Sequence, residues 1–161
     1  MKTEIIVLIA AYTFFAVPAQ AQVMPPAEYV ATAGASDLYE RTSSELVLQT
    51  TADPKVREFA TMMLKAHAAS TAEVKAAAAK SKVEAAPPEL TPVQAEMIAQ
   101  LRAEAGTTRD VAYIAQQKGA HGQALSVQAA YAKDGTSAPL RAAAAKIVPV
   151  VEHHIAMLKA M

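Results

Sequence analysis

The chain contains no cysteine and no tryptophan, and only five tyrosines, three phenylalanines and five glycines among 161 residues. Without cysteine there is no disulfide, no thiolate metal site and no lipid-bearing residue behind a leader, so stability has to come from packing. Neither sign of charge is in excess: 15 lysines and arginines balance 15 aspartates and glutamates. Nucleic-acid binders need a basic stripe, and membrane-surface helices a strongly charged face, so both classes are excluded. No segment shows the alternation of a half-buried strand. No hydrophobic run reaches the roughly 20 residues that span a bilayer. Alanine is what the chain does have, and it favours slim helices that approach closely.

The longest apolar run, Ile5 to Val17, follows Lys2 and Glu4 and fits the roughly 7–15 residues of a signal core. Pro18 breaks it, and Ala19-Gln20-Ala21 offers the small-x-small pattern of a cleavage site. Residues 1–21 therefore read as a signal peptide cleaved near Ala21, and residues 22–161 as one exported, periplasmic domain. No stable membrane insertion is expected after cleavage.

Helix punctuation organises the rest. A first helix is predicted from Pro26 to Thr51. Asp53-Pro54 gives an N-cap and a first-turn proline for a second helix that runs to about Ser81. Lys82 to Leu90, with Pro87-Pro88, is a loop. Thr91-Pro92-Val93-Gln94 matches a capping box and opens a short helix that ends near Gly106. Thr107 to Lys133 forms another long helix, stopped by Asp134-Gly135, and Ser137 and Pro139 open the last. Tight connections make the first two and the last two long helices antiparallel pairs. A long crossover with a short extra helix between two such pairs is the ferritin-like four-helix bundle, an all-α fold.

Apolar residues at helical spacing mark the inward faces. On the first helix the line is Val30, Ala33, Asp37, Glu40, Ser44 and Val47, which buries two carboxylates. On the second it is Val56, Phe59, Ala60, Met63, His67, Ser70 and Val74. On the third long helix, Val111, Ile114, Leu125 and Ala132 share a face with Lys118 and His121. On the last, Leu140, Ile147, Val151, His154 and Leu158 line up, with His153 pointing outward and Pro149 expected to kink the helix. Each long helix thus offers one candidate ligand: Glu40, His67, His121 and His154. Imidazoles and carboxylates converging in a bundle core suit zinc, iron, copper or manganese. Counting from the connections puts Glu40 level with His67, but sets His154 about 6 Å along the axis from His121. Such histidines are also common as hydrogen-bonded core residues, and Lys118 facing inward would oppose a cation. Met62, Met63, Met97 and Met157 read as core filler. Gly119 and Gly122, beside His121, suggest close helix approach. No nucleophile elbow, phosphate loop or dinucleotide fingerprint occurs, so no catalytic residue is assigned.

Several segments resemble the bacterial domain-of-unknown-function family 4142, exported proteins placed among ferritin-like bundles. These are Asp37 to Glu40, Asp53-Pro54-Lys55-Val56-Arg57-Glu58-Phe59-Ala60 through Met63 to His67, Asp110-Val111-Ala112-Tyr113 with His121, and Pro149 with His154. The likeness covers nearly all of the chain after the signal. Where that family typically has an aspartate before the second-helix histidine, and an acidic or small residue before the next one, this chain has Ala66 and Ala120. Glutamate followed three residues later by histidine, as in two-metal bundles, is absent: Leu64, Lys118 and Val151 hold those positions. The resemblance implies the fold and no activity. The expected role is a non-enzymatic envelope bundle, acting in stress tolerance or on an envelope protein partner. The alternative is binding or sequestering one metal ion through one side chain from each long helix. Oxidation chemistry at such a metal has only the fold analogy behind it.

Overall fold

The computed structural model describes residues 23–161, so the signal segment and its cleavage site lie outside the described residues. Five α-helices follow one another: α1 Pro26–Leu48, α2 Pro54–Lys80, α3 Pro92–Ala103, α4 Gly106–Asp134 and α5 Ala138–Lys159. Among the described residues there is no strand. Sequence chemistry sets most of the helix starts. The Asp53 carboxylate accepts from the Lys55 and Val56 amides, and Thr91 and Gln94 form a reciprocal capping box; each such cap contributes about 1 kcal/mol. Prolines occupy the first turns of α1, α2, α3 and α5, where a missing N–H costs nothing. Between α3 and α4 the chain turns through Gly106 at φ 57°, a left-handed conformation that glycine adopts without strain.

The α1–α2 and α4–α5 hairpins pack side by side, with α2 against α5 and α1 against α4. The crossover carries α3, which lies against α1 and α4. This is the ferritin-like connectivity that the loop lengths imply. Two apolar clusters fill the ends of the bundle. One is slim and alanine-rich, with Ala33, Ala77, Ala78, Ala143 and Ala144 around a stacked Tyr29–Tyr131 pair. The other holds Phe59, Met63, Ile98, Leu101, Tyr113 and Leu158, with Met62, Met97 and Met157 packed on it. Between them lies a buried polar layer containing Asp37, Glu40, His67, Gln117, His121 and His154.

The inward face of α4 differs from expectation. Tyr113, Gln117, His121, Gln128 and Tyr131 are buried there, while Val111 is 64% exposed and Lys118 is exposed. Polar side chains form the buried stripe, so a search for apolar periodicity settles on a neighbouring line. The ammonium of Lys118 therefore does not oppose a cation in the core. Gly119 and Gly122 also depart from expectation: an added Cβ at either would meet nothing within 4 Å, so neither marks a close helix approach. Pro149 is exposed and lies inside α5, which continues past it to Lys159.

Candidate metal centre

His67 comes from α2, His121 from α4 and His154 from α5, and all three are buried. One ligand nitrogen of each lies within 4.8 Å of the other two. The axial gap expected between His121 and His154 is closed, since His121 Nε2 stands 3.2 Å from His154 Nδ1. Side-chain tilt accounts for this. Cα–Cβ bonds lean toward the N-terminus of their helix. In an antiparallel pair, His154 therefore leans back toward the hairpin turn and His121 leans away from it, bringing two unequal heights together.

The end of α1 selects Asp37 over Glu40 as the partner of His67: the helix stops at Leu48 rather than at the expected Thr51, which puts Asp37, and not Glu40, nearest the height of His67. His67 Nδ1 is 2.8 Å from Asp37 Oδ1, and the other carboxylate oxygen accepts from the Thr71 hydroxyl at 2.9 Å. That hydrogen bond places the proton on Nδ1 and leaves Nε2 without a hydrogen-bond partner in the core. On α4 the backbone performs the same task. Gln117 O, which can only accept, is 3.0 Å from His121 Nδ1, so Nδ1 carries the proton and Nε2 keeps its lone pair. Two imidazoles are thus fixed in the tautomer a metal requires, one by a carboxylate and one by a carbonyl. Asp37 was read from the sequence only as a buried carboxylate. Its role follows from where α1 ends.

Glu40 is fully enclosed but stands outside the three-histidine group. Its Oε1 approaches His121 at Nδ1, 3.6 Å away, on the ring edge opposite the ligand nitrogen. Its Oε2 is unpartnered. The glutamate is therefore placed behind His121 rather than within the three-histidine group. His153 is exposed.

Burial governs the protonation of the cluster. It pushes His121 down to about 4, helped by the charge on His67. It pushes His154 down to about 3, helped by His121, His67 and His153. Both rings are neutral near neutrality; His154 Nδ1 donates to the lone pair on His121 Nε2, so an ion between these two nitrogens would displace that one proton. Burial also works against a charge on His67, but the Asp37 hydrogen bond and the nearby carboxylates outweigh it, and its affinity for a proton is raised. Burial lifts Glu40 to about 7, against the lowering effects of His67 and Gln117.

The donor set fits a transition metal. Nitrogens bound at 2.0–2.1 Å in a tetrahedron stand about 3.3 Å apart. The His121–His154 pair already has that spacing, and His67 has to draw in by no more than about 1.5 Å. The carboxylates of Asp37 and Glu40 would offset the charge of a dication in this enclosed layer.

The pattern of the family described as Domain of unknown function (DUF4142) matches residues 15–161. The chain belongs to the DUF4142 family. No curated protein matches the sequence. Among solved structures, a DUF305 protein from Streptomyces coelicolor, described as secreted, superposes with a TM-score of 0.66 at 14% identity. The match covers 85% of this DUF4142 chain and 91% of the other. At that identity the likeness is one of fold. No helix among the described residues is long and apolar enough to cross a membrane.

Proposed function

We propose that this DUF4142 protein is an exported bundle that binds one transition-metal ion through His67, His121 and His154. The observation that carries the reading is the buried, unpartnered Nε2 of His67 in a group of three buried histidines, one nitrogen of each within 4.8 Å of the others. A buried nitrogen with no hydrogen bond costs about 1–3 kcal/mol, and a bound ion removes that cost. Imidazole donors suit zinc, copper and iron. Export rests on the residue 1–21 leader, together with the secreted description of the DUF305 protein. With no catalytic motif in the sequence, binding or sequestration is the role, rather than turnover.

Elemental analysis of protein purified without a histidine tag, beside a His67→Ala/His121→Ala/His154→Ala variant, tests this. About one metal per chain in the wild type and none in the variant is expected. Equal, negligible metal in both refutes the reading.

A further inference from the structure

The two axial sides of the histidine cluster are unlike. On the side of the α1–α2 turn stands Phe59, with ring centroids 6.3 Å from His121 and 6.5 Å from His154, and with Met63 and Tyr113 in the same apolar cluster. That side is dry and filled. On the other side, one turn along each helix, lies a cavity of about 20 Å³. His67, His154 and Asp37 form part of its wall, Ser36, Ser70 and Gln128 contribute polar groups, and Ala66 and Val150 lie toward its outer rim. This volume accommodates the bound end of one small ligand, about the size of a water. The half-buried Ala66 and exposed Val150 at the rim leave the rest of a linear one room toward solvent. Gln128 is oriented by Tyr29, whose hydroxyl donates to Oε1 at 2.7 Å. The amide N–H groups are left as the donor edge of that side chain, which suits an acceptor ligand over a cation or a hydrocarbon.

We propose that a metal held by the three histidines keeps a fourth position open toward this cavity, where one small acceptor ligand from solvent, monatomic or linear, binds. The proposal rests on the metal site above and adds what that site would take. Three protein ligands with one exchangeable position distinguish reactive metal sites from closed structural ones, which use four protein ligands. Glu40 does not fill the position, because it approaches His121 from the edge away from the cluster.

Cobalt(II)-loaded protein, followed by visible absorption, tests this with azide as the small ligand and imidazole as the bulky one. Azide is expected to shift the cobalt bands saturably, and imidazole to leave them unchanged. In Ala66→Leu, whose larger side chain occupies the cavity, the bands persist and the azide response weakens at least tenfold. Absence of cobalt bands in the wild type refutes the metal site itself. Bands that ignore azide refute the open position while leaving the metal site standing. A response to azide and imidazole alike, or an Ala66→Leu protein that responds as the wild type does, shows that the position does not face this cavity.

Discussion

The α1–α2 hairpin and the α4–α5 hairpin bring histidines to the same layer by different means. The first surrounds His67 with charge: Asp37 on Nδ1, Glu40 nearby, and Thr71 holding the Asp37 carboxylate. The second supplies His121 and His154 with no carboxylate hydrogen bond, only a backbone carbonyl and each other. One hairpin thus carries both carboxylates and His67, whose proton affinity is raised, and the other carries His121 and His154, which burial keeps unprotonated. Either half alone leaves buried groups unsatisfied.

Disabling the charged half at its carboxylate is expected to have the largest effect. Asp37→Asn keeps the size of the side chain but removes the charge that fixes the His67 tautomer. Loss of such a partner lowers metal affinity about 10–100-fold. Competition titration against a chelator of known affinity measures the loss, and Glu40→Gln is expected to lose less, because it does not touch His67. Equal affinities in the wild type and Asp37→Asn would remove the distinction between the hairpins.

Acid sharpens the same comparison in the metal-free protein. His121 and His154 are held near 4 and 3, so between about pH 6.5 and 4.5 the unfolded chain takes up two protons that the folded chain refuses. Stability is lost as the pH falls. Glu40, raised to about 7, works the other way: it holds its proton in the fold while the unfolded carboxylate has released it, so its contribution is present at acid pH and lost as the pH rises through 7. His67, also raised, is protonated in both states below about pH 6.5 and adds no slope there. One net proton remains, which corresponds to roughly 1 kcal/mol lost per pH unit of acidification. In Glu40→Gln the opposing contribution is gone, and the slope roughly doubles. Denaturant melts at several pH values read both slopes. Identical slopes in the two proteins would show that Glu40 is not held protonated by the fold.

How much of this was legible in the sequence follows the chemistry of each face. The inward faces of α1, α2 and α5 carry valine, leucine, phenylalanine and methionine at helical spacing, and their lines are buried apart from partly covered Ser70. Tight turns and the Pro87-Pro88 crossover are enough to order the helices. The inner stripe of α4 is tyrosine, glutamine and histidine, which a hydropathy pattern cannot distinguish from a solvated face. Arg109, buried at the start of α4, is held by Leu46 O and Glu104 O, carbonyls that no local pattern announces. The three histidines could be picked out by type and face. The pairing of Asp37 with His67 depends on α1 ending at Leu48; counting from an expected end at Thr51 favoured Glu40.

The smallest expected effect concerns the outer surface of α4. Gly119 and Gly122 have open space at the Cβ position, so alanine at either should add up to about 1 kcal/mol of stability by restricting the unfolded chain. Metal affinity should be unchanged, because neither residue shapes the imidazole beside it. Thermal melts and the chelator titration together check this, and a loss of affinity would return these glycines to the site.

The claim on which the account depends is that three imidazole nitrogens meet at one ion. X-ray absorption at the metal edge of the loaded protein measures this directly. The account expects about three nitrogens at 2.0–2.1 Å, with the outer-shell scattering of imidazole rings. A first shell made of oxygens alone, with no imidazole signature, would contradict it.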